Sequence, residues 1–259
     1  MAGTTREEFL KTVRQSLGRK EGAPEPEYLA LRLRREDQRQ KVVTIEARVE
    51  ARRRDLLTRL ERVAGQSGWR VYRAASPEAA AGYVLKLARE KAADLVVRSE
   101  HDVFRRVPID GLLRQEGIAV TPILAARAGD REHLRQEMDK AQIGVTGVDY
   151  AVAETGTCVL LPRRGVSRAV SLLPPVHVAL VEPHQVYETL DDLFAVRRLA
   201  FIQGRGDAGS YLSLTSGPSR TADIEQTLVI GVHGPVEAHL VLLPPAPEAA
   251  SPRPGTPSP

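Results

Sequence analysis

At 259 residues, 42% hydrophobic and 27% charged, the chain has the make-up of a soluble protein with one large domain, or one domain and an appendage. Its one cysteine excludes an internal disulfide, and an iron–sulfur cluster or structural zinc held by this chain alone takes about four ligands that the cysteine and six unpaired histidines do not supply. The charge is +4 overall but uneven, with 18 Lys/Arg against 11 Asp/Glu over residues 1–73 and 19 against 22 over the rest; the excess of Arg (31, with 6 Lys and no Asn) marks GC-rich codon usage, so nucleic-acid binding is not expected from it.

Met1–Leu10 has no apolar signal core, and no apolar run approaches the ~18–20 residues that span a bilayer, so the expected location is the cytoplasm. Thr5 and Glu8 have the spacing of a capping box ahead of Phe9, Leu10, Val13 and Leu17, which predicts a first helix. After Pro24 and Pro26, a stripe of Val42, Ile45, Val49, Leu56, Leu60 and Val63 predicts one long helix ending at Gly65 and Gly68. It can pack on its own chain or on a partner.

From Trp69 the pattern becomes βα. Strands are predicted at 69–74, 94–98, 118–123, 157–161, 176–181, 211–215, 228–232 and 238–243. Helices are predicted at 77–92, after Asp130, and at 184–198. Such units imply a mostly parallel sheet with helices on both faces. The expected organisation is a helical extension over 1–68, an α/β domain over 69–243 and a disordered proline-rich tail over 244–259, where seven of sixteen residues are Pro.

Three turn-rich segments carry the candidate chemistry. In 144–157, Asp149 and Glu154 are candidates for a general base or a ligand-hydroxyl acceptor, or else acceptors of backbone N–H groups in a Gly-rich turn. Thr146 and Thr155-Gly156-Thr157 accompany them. The second segment begins at Ser171 and ends at His177, which opens a strand and reads as structural. The third holds Ser216, Gly217, Ser219, Arg220, Thr221, Asp223 and Glu225, with His233 and Gly234 close behind. Its hydroxyls precede a predicted short helix whose free N–H groups would favour a small organic anion or a phosphorylated ligand; plain helix capping is the alternative. His233 suits a ligand contact or a turn. Cys158, in an apolar strand without a basic neighbour, reads as a packed thiol.

Gly204-Arg-Gly-Asp-Ala-Gly209 spells the dinucleotide fingerprint, but a strand pattern follows where that motif needs a helix, so a dinucleotide site is rejected.

Taken together, Thr146-Gly-Val-Asp-Tyr, Ala153-Glu-Thr-Gly-Thr, Ser171-Leu-Leu-Pro, Ser216-Gly-Pro-Ser with Asp223-Ile-Glu, and Gly231-Val-His-Gly-Pro resemble the lactate-utilisation protein C (LUD-domain) family, in order, from about residue 70 to 243. The resemblance implies a fold like that of phosphosugar isomerases and coenzyme A transferases (NagB/RpiA-like). It implies a subunit supporting oxidation of L-lactate to pyruvate, with no intrinsic cofactor and with iron–sulfur clusters on partner subunits. Position 154 is Glu where relatives carry Asp, which leaves the acid one methylene longer. The resemblance assigns no catalytic residue. A stand-alone coenzyme A transferase- or isomerase-like enzyme, with Glu154 or Asp149 as nucleophile or base, is the alternative; fold alone carries little weight for activity.

Overall fold

A computed structural model describes residues 5–18, 34–124, 130–204, 211–222 and 228–246. The chain divides into two units, residues 1–37 and 38–259. In the first, α1 (Arg6–Ser16) starts at the expected capping box: the Glu8 N–H donates to Thr5 Oγ1 (3.3 Å) and the Thr5 N–H donates to the Glu8 carboxylate (2.8 Å).

The second unit is entered by α2 (Arg35–Ala51), followed after one residue by α3 (Arg53–Gln66). Val42, Ile45, Val49, Leu56, Leu60 and Ala64 are buried in one core with the strands beyond them, so this stripe packs on its own chain. The predicted single helix is broken at Arg52 (φ −110°, ψ 14°). Neither Gly nor Pro causes the break. Tertiary contacts hold it: Arg53 Nη1 donates to the carbonyls of Pro183 and Val186 (2.9 Å each), and Arg52 pairs with Glu188 (2.7 Å).

The body alternates strand and helix: β1 (Arg70–Arg73), α4 (Pro77–Glu90), β2 (Leu95–Arg98), α5 (Ile109–Gln115), β3 (Ala119–Pro122), α6 (Asp130–Lys140) and β4 (Ile143–Gly147). Then come β5 (Tyr150–Val152), β6 (Thr157–Leu160), β7 (Val176–Val181), β8 (Val186–Tyr187), α7 (Leu190–Gln203), β9 (Ser213–Thr215), β10 (Arg220–Ala222), β11 (Leu228–Ile230) and β12 (Glu237–Leu242). Six strands form a parallel sheet in the order β1-β12-β7-β4-β2-β3. The strand alternation sorts its two faces. Val176, Val178 and Leu180 pack with α4 and α5, while Ala179 and Val181 pack with α2, α3, α7 and the second sheet. Both faces are thus covered, as a parallel sheet requires.

The second sheet, in the order β8-β5-β6-β9, lies on the α2–α3 face. β5 turns back after β4, β6 returns antiparallel to it, and β9 runs antiparallel to β6. Two predictions are corrected here. The segment 144–157 is largely strand, because Gly144 and Gly147 are there for close approach: a Cβ on Gly144 would strike the Val170 carbonyl. The helix predicted at 184–198 begins at Leu190, capped by Thr189; a 3₁₀ turn and β8 occupy 183–187.

Candidate functional site

The candidate residues fall at two opposite ends of the parallel sheet. Thr157 opens β6 at the end near Trp69 and the start of β1, since the Trp69 indole N–H donates to the Gly156 carbonyl (3.0 Å). Leu161, four residues on, lies beside Asp149, just past the C-terminal end of β4. At ~3.3 Å per residue the two ends are about 13 Å apart. No small ligand reaches both.

At the N-terminal end, three hydroxyls form a chain: Thr155 Oγ1 to Thr157 Oγ1 and Thr157 Oγ1 to Ser216 Oγ, each 2.7 Å. Gly156 (φ +64°) packs so tightly that a Cβ would lie 2.7 Å from the backbone of Ala64. Gly217 (φ +123°) faces the Ser67 carbonyl, leaving no room for a Cβ. Ser219 accepts the His233 N–H on its hydroxyl (3.2 Å) and donates its own N–H to the Pro235 carbonyl (3.0 Å). The His233 side chain is exposed, and Gly234 lies against Ser219. Thr221 stands in β10 opposite Val229, and the short helix expected after it falls at 223–227, outside the described residues. Asp223 and Glu225 lie outside the described residues, as do the central residues of the Gly204–Gly209 motif.

Three further candidates are spent on the framework. Thr146 Oγ1 is buried 2.9 Å from His177 Nε2. The Leu190 N–H, first in α7, donates to Glu154 Oε1 (2.7 Å), which makes this carboxylate a helix cap. Ser171 is buried and donates to the Arg168 carbonyl (2.7 Å). Cys158 is buried in β6, where desolvation pushes its thiol up to about 12. Burial, with His239 adding to it, pushes His177 down to about 3.

The C-terminal end is arranged differently. Here the loop after β2 (Ser99–His101), the residues after β4 (Val148–Asp149) and the turn Arg163–Val166 converge; the Glu100 N–H donates to the Gly165 carbonyl (2.7 Å). Asp149 is held from two sides: the Leu161 N–H donates to Oδ2 (2.6 Å) and Arg163 Nη1 donates to Oδ1 (2.7 Å). The His101 ring lies against Gly147, where a Cβ would collide with ring atoms Nδ1 and Cγ. The Val103 N–H donates to His101 Nδ1 (3.2 Å), which places the ring proton on Nε2. Nε2 faces Asp149 Oδ1 at 3.9 Å, too far for a hydrogen bond. Burial lowers the His101 pKa, the charge of Asp149 opposing it, so the ring is neutral at physiological pH. Arg106 pairs with Glu182 along the same edge, next to β7.

This end is also where the topology turns. The connection from β2 leads outward to β3 over the α5 face, while the neighbouring β4 leads the other way to β7 through the second sheet. Open parallel sheets bind ligands at such a reversal, outside the strand C-termini.

The family model of the LUD domain matches residues 57–243. The chain belongs to the LUD-domain family. Among curated relatives, it is 38% identical over 113 residues to lactate utilization protein C of Halalkalibacterium halodurans, covering 43% of this chain and 48% of that one. It is 34% identical over 172 residues to the protein of the same name from Bacillus pumilus, covering 65% and 70%, and 33% identical over 123 residues to that of Bacillus subtilis, covering 48% and 51%. The chain thus spans about half the length of several of the relatives it matches. A solved DUF162 family protein from Deinococcus radiodurans aligns over 74% of this chain and 98% of its own, at 22% identity and TM-score 0.48.

In this LUD domain the sequence reading found Asp149 but missed His101, Arg163 and the role of Gly147. His101 sits in Ser99-Glu-His-Asp102, which matches no catalytic pattern. The one available signal was its place directly after a predicted parallel strand, where α/β sites form.

Proposed function

We propose that the chain serves bacterial lactate utilisation as a cytoplasmic subunit supporting the oxidation of L-lactate to pyruvate, with iron–sulfur clusters carried by partner subunits. The observation that carries this reading is the 34% identity to a lactate utilization protein C across 70% of that protein's length. The donor set agrees with it: the only cysteine is buried inside β6, and a cluster takes about four thiolates. Electrons leaving lactate would therefore pass to another polypeptide or to a bound organic cofactor. The part of this chain that would meet a small organic anion is the C-terminal edge, where the described donors are not all satisfied within the protein.

The test is genetic and biochemical. Deleting the gene in its native host is expected to abolish growth on L-lactate but not on pyruvate, and the tagged chain is expected to restore growth and to recover iron-containing partners from lactate-grown cells. Undiminished growth of the deletion strain on lactate would overturn the reading. The stand-alone enzyme draws on Asp149, a carboxylate beside an imidazole; turnover of acyl-coenzyme A or phosphosugar substrates by the purified chain would favour it instead.

A further inference from the structure

We propose that His101, Asp149 and Arg163 form a recognition site for a 2-hydroxycarboxylate at the C-terminal edge of the parallel sheet. This deepens the reading above and rests on it for the choice of a hydroxy acid over other ligands that pair a hydroxyl with an anion. The geometry itself stands on the residues alone.

The His101 side chain is only 8% exposed, and its Nε2–H has no hydrogen-bond partner among the described residues. Nε2 is not sealed from solvent, so this N–H is open to a polar partner from outside the protein. What faces it is an acceptor, Asp149 Oδ1, at 3.9 Å. That separation is too long for direct contact and too short for two intervening groups. One oxygen at about 2.8 Å from each atom fits, accepting from Nε2–H and donating to Oδ1. Only a group that both accepts and donates meets that demand, and a hydroxyl does. A carboxylate oxygen does not, because it would face Asp149 with no proton between them.

The anionic half of the ligand has its own partner. Arg163 Nη1 bonds the same Oδ1 at 2.7 Å, so it lies no more than about 6.6 Å from His101 Nε2. The Arg163 side chain is 44% exposed, and although Nη1 is also spent on the Leu161 carbonyl (3.0 Å), the N–H groups of Nε and Nη2 can take a carboxylate in the paired geometry that Arg favours. A hydroxyl one carbon from a carboxylate spans this interval. Asp149 cannot drift from its place, since the Leu161 N–H fixes its other oxygen. The imidazole is held as firmly by Gly147 beneath it and by the Val103 N–H. The site is preorganised, and binding needs little reordering.

The experiment is calorimetric titration of the purified full chain with L-lactate, propionate and pyruvate, alongside nitrogen-detected NMR of the histidine rings. Saturable L-lactate binding with a shift at His101 Nε2 is expected. Propionate lacks the hydroxyl, and pyruvate has an oxygen that cannot donate to Asp149; each should bind about tenfold more weakly for the hydrogen bond lost. Asp149→Asn and His101→Phe should weaken L-lactate by a similar factor. Arg163→Gln, at an exposed position with little risk to folding, should weaken L-lactate and propionate alike. Absence of L-lactate binding by the folded protein overturns the proposal and leaves a water molecule as the occupant. Equal affinity for propionate, or unchanged binding by Arg163→Gln, overturns it as well. If lactate growth depends on the gene but no binding occurs, the site fails and the lactate-utilisation reading stands; binding without such dependence gives the reverse.

Discussion

The two ends of the parallel sheet are built from the same residue types, glycines beside hydroxyls and carboxylates, yet they are organised for different ends. At the N-terminal end the hydroxyls satisfy one another: Thr155, Thr157 and Ser216 form a chain, and Ser219 is bonded to the loop around His233, while the unmatched ring atom His177 Nδ1 is sealed in the core. Its glycines admit neighbouring backbone, Gly156 against Ala64 and Gly217 against Ser67. At the C-terminal end Gly147 admits a side chain instead, and that side chain is left with a donor unspent. Glycine and hydroxyl content therefore does not separate scaffold from site. What differs is that the C-terminal end sets a donor not sealed from solvent, His101 Nε2–H, across from an acceptor, Asp149 Oδ1, at 3.9 Å.

The strongest way to break this comparison is Gly156→Ala. A Cβ there meets backbone at 2.7 Å in a left-handed residue, so a loss of roughly 2–4 kcal/mol is expected, read as a fall in Tm, with ligand affinity of the surviving folded protein unchanged. A loss of affinity without loss of stability would instead make the N-terminal end the site.

Acid tests the same packing from behind. His177 touches Trp69, with ring centroids 5.8 Å apart, and Trp69 holds Gly156. Its folded pKa of about 3 lies below the unfolded value of about 6.5. Above pH 6.5 it is neutral in both states and costs nothing. Below that pH only the unfolded chain takes the proton, so stability falls by up to ~1.4 kcal/mol per unit until pH 3. Denaturant titrations from pH 7 to 4.5 should show this slope, and His177→Gln should flatten it.

Smaller effects sharpen the contrast. Thr157→Val breaks the middle of the hydroxyl chain and should cost about 1–2 kcal/mol in chemical denaturation, again without touching affinity. His233→Ala removes an exposed ring and should stay within about 0.5 kcal/mol in stability and leave binding as it was.

Much of the architecture was legible in sequence. The strand at 176–181 was read with the bounds observed, and the capping box at Thr5 stands where local chemistry put it. β4 was not legible because its two glycines read as turns; their purpose, room for the Val170 carbonyl and the His101 ring, exists only once distant segments meet. The break at Arg52 escaped for the same reason, since the carbonyls that hold it are some 130 residues away. Asp149 was visible as an acid in a Gly-rich stretch. Its partners were not, because β4 comes to lie beside β2 only by a crossover from β3 that passes over β2.

The contact between Gly147 and the His101 ring ties two distant positions into one inheritable unit. A Cβ at 147 would meet the ring at 101 within 2.4 Å, so in this chain an imidazole seated there requires glycine at 147. The pair is expected to change together, so a side chain at 147 beside a retained histidine at 101 in a related sequence would count against this seating of the ring.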